Sequence, residues 1–418
     1  MTVSSLSRLG TANTYDTTLR NLTTRQAALS SLQEQLSSGK KINRPSDDPA
    51  GAAQAERATT RIERVATEQR ALSAQRNTVA MTESTLGDAT SALQSFRDRI
   101  VQAGNASLSP VERVNLAKEM TGLRDQLIGY ANRVDTNGLP LFSGLASAAA
   151  PFVDSATGVS FSGIAGERAS TDVSVPFTAD GYATWMNVAT GNGVYTLSLG
   201  ATNTGTMFSD VGAVTAPSTA SVAGFDHTIT FAVTATSPPV TTYTVTNNTT
   251  AAVSAAAPYV AGQPIVFDGM TMTVRGTPGN NDTLELNPSA IAGPSTGVFG
   301  ALDSAITGMY AAGSTTKGAS SLSATLHQSI ARALAEIDSS MDRIQATRAQ
   351  AGELLNRADR ISSIQEARDI QLQADKSRAE DIDMVKGIAD FQNQQTGYSA
   401  ALQTYAQVQK LSLFNYIG

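Results

Sequence analysis

The sequence predicts an α+β fold: a long coiled-coil-like helical rod built from both chain termini, with an inserted β-rich central domain. Three observations point there. Apolar residues recur at 4-3 and seven-residue spacing through both arms of the 418-residue chain, whereas the middle alternates apolar and polar residues with period two. Charge divides the same way. Residues 145–300 carry nine acids and only two bases, Arg168 and Arg275, so a net of -7 sits in the middle and +1 in the two flanks, which add to the overall -6.

In the first arm, Tyr15, Leu19, Leu22, Gln26, Leu29, Gln33 and Leu36 share one helical face. Gly39 after Ser37 and Ser38 is a natural stop, because glycine accepts the left-handed conformation that closes a helix. Lys40 to Ser46 lacks periodicity and contains Pro45, which predicts a loop. Asp48-Pro49 restarts the helix: Asp can accept from the free amides of the first turn, and Pro there loses no hydrogen bond. Val65, Leu72, Val79, Leu86, Leu93 and Ile100 then form a seam with a strict step of seven. A helix of about 50 residues is about 75 Å long, the dimension of a rod.

Ser109-Pro110-Val111-Glu112 reads as a capping box that opens a third helix. Its stripe is Leu116, Met120, Leu123, Leu127, Tyr130 and Val134, ending near Asn137-Gly138, with Leu139–Phe142 expected as a short strand. The return arm has a seam at Ile330, Leu334, Ile337, Met341, Ile344, Arg348, Ala351, Leu355 and Ala358. A last one runs Met384, Ile388, Phe391, Gln395, Tyr398, Leu402 and Tyr405, continuing through Val408, Leu411, Leu413, Phe414, Tyr416 and Ile417. The two outermost helices have only each other to bury against. A two-helix pair leaves part of each stripe wet, which an assembling subunit needs and a soluble monomer avoids.

Strands are expected at 159–161, 172–175, 194–199, 228–233 and 242–245, bounded by Gly, Pro and Asn. Residues 264–274 form the clearest hairpin. Its Asp268-Gly269 suits a type I' turn, whose two central residues need positive φ.

Composition removes most chemistry. With no cysteine there are no disulfides, thiolate nucleophiles or cysteine-ligated metals, and only His227 and His327 are available for imidazole chemistry. Both are read as structural. No GxSxG elbow, phosphate-cradling loop, HExxH or EF-hand occurs. Asp47 and Asp48 are assigned to capping rather than to a cation. Asp172, Asp180, Asp226 and Asp268 show no spacing that suggests paired catalytic carboxylates. No enzyme activity, cofactor or metal is therefore expected, and mild acidity argues against a nucleic-acid partner. No run of 18 apolar residues suggests membrane insertion, and the first ten residues lack the basic and apolar segments of a cleavable signal. That test alone points to the cytoplasm, while the Ser/Thr/Asn/Gly/Ala-rich middle looks like a surface protein.

Leu36-Ser37-Ser38-Gly39-Lys40-Lys41-Ile42-Asn43, followed by Ser46-Asp47-Asp48-Pro49-Ala50-Gly51, resembles the N-terminal signature of the flagellin family. Leu141-Phe142-Ser143-Gly144, the stretch Ala261–Met270 and the ending Leu402–Tyr416 resemble that family's hook–filament junction members more than its filament subunits. Residues 185–260 show least of the pattern. The resemblance implies a non-catalytic structural adaptor, with terminal helices forming an axial inner tube, a helical rod and a variable outward domain. On this plan 1–40 with 376–418 are the terminal helical domain, 41–144 with 301–375 the rod, and 145–300 the outward β-rich domain. Implied partners are hook-associated protein 1, flagellin, further copies of the chain and a cytoplasmic export chaperone. Export through the flagellar type III apparatus, without a cleaved signal, would place the chain outside the cell and resolve the conflict over location.

The expected assembly interface is Tyr15, Leu19, Leu22, Leu29, Leu36, Ile388, Phe391, Tyr398, Leu402, Tyr405, Leu411, Leu413 and Phe414. The signature positions are Ser38, Gly39, Ile42, Asn43, Asp47, Asp48, Pro49, Ala50 and Gly51. Two alternatives remain at this stage: a filament-forming flagellin, and a secreted coiled-coil translocator or adhesin whose middle domain binds a host ligand.

Overall fold

A computed structural model describes residues 11–105, 107–146, 150–167, 171, 173–289, 297–313 and 319–417. Helices α1 (Thr11–Ser38), α2 (Pro49–Ala103) and α3 (Pro110–Ala131) precede the strands. The middle holds β1 (Phe152–Ser155), β2 (Gly158–Phe161), β3 (Tyr195–Leu199), β4 (Phe208–Ser209), β5 (Ala213–Val214), the short α4 (Pro217–Ala223), β6 (His227–Val233), β7 (Thr241–Asn247), β8 (Ala257–Pro258), β9 (Pro264–Phe267), β10 (Met270–Arg275) and β11 (Thr283–Pro288). Helices α5 (Gly297–Gly313), α6 (Ala319–Glu380) and α7 (Met384–Ile417) return the chain. The fold is thus α+β, long helices around an antiparallel β insertion. It separates into two compact units, residues 1–70 with 362–418 and residues 71–361.

In the unit of residues 71–361 the strict step of seven on α2 is realised in burial: Leu72, Val79, Leu86, Leu93 and Ile100 are all buried, as Val65 is in the other unit. Leu86, Leu93 and Ile100 pack with Met120 and Leu127 of α3, Phe299 and Leu302 of α5 and Ile337 of α6, and Leu72 and Val79 with Ala351, Ala358 and Ile361 of α6. The single tryptophan, Trp185, stacks on Phe299 at 5.7 Å and meets Phe142 edge-on at 5.6 Å. Arg124 of α3 donates to both oxygens of Asp154 (2.7 and 2.8 Å) and also to Asp303, tying the β1–β2 hairpin and α5 to α3. Its hydrogen bonds to Asp154 hold the guanidinium pKa above the usual value and the Asp154 pKa below it.

A five-stranded antiparallel sheet runs in the order β3-β11-β6-β7-β8, and a second sheet runs β4-β10-β5 with β9 also on β10. Alternation sends Leu197, Ile229, Phe231 and Leu286 inward against Met270, Met272 and Val274. The opposite face is threonine-rich, with cross-strand pairs Thr228–Thr246 and Thr230–Thr244. The 264–274 hairpin turns at Asp268 (φ 44°) and Gly269 (φ 76°), both positive as type I' requires.

Three local expectations differ. Leu139–Phe142 is not a strand: Pro140 makes a single bridge with Val134, and Leu141 and Phe142 turn into the core. Helix α3 stops at Ala131, short of Val134, because the Asn132 amide mimics a strand, donating to Phe152 O (2.8 Å) and accepting from Phe152 N–H (2.9 Å). Around 172–175 there is one bridge, Thr171–Ser174; Val175 N–H donates to Gln75 of α2 (3.2 Å) and its side chain joins the α2–α6 seam. Asp172 lies outside the described residues.

Candidate assembly site

The flagellin-like signature folds into a corner. Gly39 at φ 73° ends α1, so the next residues double back and pair with the chain after α6. Lys41 N–H donates to Glu380 O (2.8 Å), and Ile382 N–H donates to Gly39 O (3.0 Å). Lys40 contacts Glu380, and that hydrogen bond raises the Lys40 pKa. Ser38 Oγ donates to Asn43 Oδ1 (2.8 Å), while Asp47 Oδ2 accepts from Asn43 N–H (3.1 Å) and Arg44 N–H (2.8 Å). Asp48 Oδ1 accepts from Ala50 N–H (3.1 Å) and Gly51 N–H (3.0 Å), satisfying the free amides opened by Pro49 at the head of α2. Ile42 is buried against this turn. A Cβ at Gly51 would stand 2.6 Å from Ile42 Cδ1 and 2.5 Å from Asp48 Oδ2, so only glycine fits. Every signature residue is thereby given a local structural task, Ala50 through its backbone N–H alone.

From that corner α1 and α7 run antiparallel. A Cβ at Gly387 would lie 3.0 Å from Leu36 Cδ2, and one at Gly397 would lie 2.8 Å from Arg25 Nη1, so the glycines of α7 mark where α1 passes closely. Leu22 is buried in this pair, and Leu29, Leu36, Phe391, Tyr398 and Tyr405 are part-buried. The rest of the stripe is wet: Leu19 is 44% exposed, Ile388 46% and Leu402 43%. Gln26 and Gln33 face solvent, and Leu32, off the expected stripe, takes a part-buried place instead. Tyr15, Leu411, Leu413 and Phe414 sit on helical backbone, but their side chains lie outside the described residues.

Several residues escaped the sequence reading. Asp383 caps α7, accepting from Val385 and Lys386 N–H (both 3.1 Å). The Asp-Ile-Asp run was the available signal for that break. Gln328 and Glu336 of α6 are buried polar groups: Gln328 accepts from Ser209 N–H (2.8 Å) and donates to Leu197 O (3.3 Å), and Glu336 accepts from Gly191 N–H (2.7 Å) and Arg332 (2.8 Å). They anchor the β insertion to α6, and nothing in their spacing distinguishes them from ordinary helical polar residues.

The acids weighed for chemistry have separate local partners. Asp180 accepts from Gly166 N–H (2.8 Å), Asp226 from Asn248 (2.7 Å), and Asp268 lies 3.1 Å from His227 Nε2. His227 is buried in β6. His327 meets Phe208 edge-on at 4.8 Å, and burial lowers its pKa. Among the described residues no group of three metal-ligating side chains converges, and no helix is long and apolar enough to cross a membrane.

Residues 10–147 match the model of the bacterial flagellin N-terminal helical region. The resemblance read from the signature is therefore to the flagellins. Flagellar hook-associated protein 3 of Salmonella typhimurium is 40% identical over 154 residues, covering 36% of this chain and 47% of that protein. Polar flagellin F of Vibrio parahaemolyticus is 32% identical over 125 residues, covering 30% of this chain and 33% of its own. The chain spans about half the length, or less, of the curated relatives it matches. Structural likeness reaches further. The crystal structure of the flagellar junction protein FlgL from Legionella pneumophila superimposes with a TM-score of 0.65 at 26% identity, covering 73% of this chain and 98% of that one. That of Xanthomonas campestris FlgL gives 0.65 at 25% identity, covering 77% and 99%.

Proposed function

We propose that this flagellin relative is a non-catalytic structural subunit of the bacterial flagellum, joining the hook to the filament by axial packing of α1 and α7. The observation that carries this reading is the half-wet stripe of the terminal pair. Leu19, Ile388 and Leu402 remain 43–46% exposed on helices where Leu22 is buried and Leu29, Leu36, Phe391, Tyr398 and Tyr405 are part-buried. Singly exposed apolar residues are ordinary, but three on one helix pair are what neighbouring subunits would cover. The breadth of the likeness to FlgL structures favours the junction over the filament.

On this reading hook-associated protein 1 lies on one side, flagellin on the other, and copies of the chain between them. A cytoplasmic chaperone shields the α7 stripe until export through the flagellar apparatus delivers the chain outside the cell. The signature corner fixes the α1–α2 and α6–α7 turns, and the β insertion faces outward. Deleting the gene in its flagellated host should leave hooks intact while filaments are shed into the medium, with complementation restoring them. Hooks that keep stable filaments without this chain would reject the junction role and favour a filament subunit.

A further inference from the structure

The α6–α7 corner carries an exposed apolar knob among acids. Val385 is 82% exposed and Met384 46%, and next to them in the chain Asp381 and Asp383 are exposed, against one base, Lys386. Within the same unit, a cleft of about 520 Å³ opens beside the start of α2. Its floor is small and apolar, with Gly51, Ala58 and Leu372, and its rim is basic, with Lys41, Arg57 and Arg61. The acids that line it are already committed: Asp48 caps α2, and Asp375 holds Arg378 and accepts from Gln371. Among the described residues Arg57 and Arg61, one turn apart, enter no ion pair. The cleft therefore keeps uncompensated positive charge around an apolar floor, and Val385 is not among the residues that line it.

We infer that the Asp381–Val385 corner of one copy seats in the Lys41–Arg57–Arg61 cleft of the next. Shape and charge both favour this occupant. A branched apolar side chain meets a floor that glycine and alanine keep low, and Asp381 and Asp383, which carry their charge while also accepting from Ser377 and from the first amides of α7, meet two guanidiniums outside any ion pair. Knob and cleft are different patches, so a head-to-tail contact between them would repeat into a ring or helix, whereas a reciprocal one would stop at a dimer, and the length of the cross-linked ladder tells the two apart. This inference rests on the reading of the chain as an assembling subunit.

The absence of cysteine makes the contact directly testable. Gln54 lines the cleft and is exposed, as is Val385, so neither Gln54→Cys nor Val385→Cys removes a buried contact. Hook–filament particles isolated from a strain making the double variant are oxidised and run on a non-reducing gel. Dimers and longer ladders from the double variant, with at most dimers from either single variant, are expected. Particles that contain the double variant yet yield only monomer, including monomer closed by an internal disulfide, would overturn the inference and leave the assembly reading standing. Absence of the wild-type chain from the particles would overturn the assembly reading itself.

Discussion

Replacing Leu19 and Leu402 by Lys separates assembly from folding. Each residue is a little under half exposed, at 44% and 43%. Full burial of a Leu side chain contributes about 1.5–3 kcal/mol, so the part still open to a neighbour is worth about 1 kcal/mol per residue and about 2 kcal/mol per subunit for the two. That alone is roughly a thirtyfold weakening of association at each subunit, before the cost of covering an unpaired ammonium is added. In the isolated chain the change is mild, since the Lys stem can lie along the half-buried surface and keep its head in water, and Lys is as good a helix former as Leu. The double variant should melt within a few degrees of the parent by circular dichroism, while cells making it shed filaments under shear. Leu22→Lys, by contrast, puts the charge into the buried α1–α7 seam and should lower the melting temperature of the pair itself. Asp226→Asn, far along the chain on the β insertion, keeps an oxygen for Asn248 and should change neither measurement. Parental filament retention in the Leu19→Lys/Leu402→Lys chain would refute the assignment, as would a melting loss equal to that of Leu22→Lys.

Gly51→Ala should destabilise the corner by about 1–3 kcal/mol, because the added methyl must displace Ile42 or break the Asp48 cap; urea denaturation would detect it, and an unchanged midpoint would contradict the packing described. Ser109→Ala should cost about 1 kcal/mol through loss of the α3 cap, read the same way. The Glu112 pKa is lowered chiefly by the Ser109 backbone N–H and then by its hydroxyl, so its contribution is present above the unfolded carboxylate value and fades as pH falls through the folded one. The pH dependence of stability on the acid side should accordingly flatten in Glu112→Gln, which cannot ionise, and only in part in Ser109→Ala, which keeps the backbone N–H; an unaltered slope in Glu112→Gln would remove Glu112 as its source. Amide exchange on the isolated chain should be fast along α1 and α7 and slow in the core of the β insertion; strong protection of both terminal helices would defeat the idea that neighbours complete them.

What the sequence made legible follows from how local each cause is. The α2 seam, the Ser109 cap, the Gly39 stop and the Asp268-Gly269 turn depend on residues within one or two turns of each other, and a period or a dipeptide suffices to read them. The misses depend on distant partners. Asn132 ends α3 because Phe152 lies opposite, and Val175 leaves the strand pattern because Gln75 takes its amide. For the candidate site, the stripe gave the right helices but a blurred face. Burial in a two-helix pair depends on crossing points, here Gly387 against Leu36 and Gly397 against Arg25, which no spacing on one helix reveals.

The buried polar anchors explain why incomplete order should collect at the termini rather than in the insertion. Gln328 and Glu336 satisfy backbone groups of the β insertion from α6, and an unpartnered buried N–H would cost about 1–3 kcal/mol, so peeling the insertion away from α6 loses those bonds. Among the described residues of α1 and α7 no polar side chain is buried. Side-chain hydrogen bonds among these residues run chiefly to the helix's own carbonyls, as from Thr23, Thr24, Thr396, Ser399 and Thr404, and the apolar stripe is only partly covered. Such bonds do not resist separation of the two helices. On the proposed role, a subunit built this way brings a fixed insertion and a terminal pair that its neighbours would complete, so tightening that pair alone, for example by filling its glycine crossings with disulfides, should raise monomer stability while slowing incorporation into the flagellum.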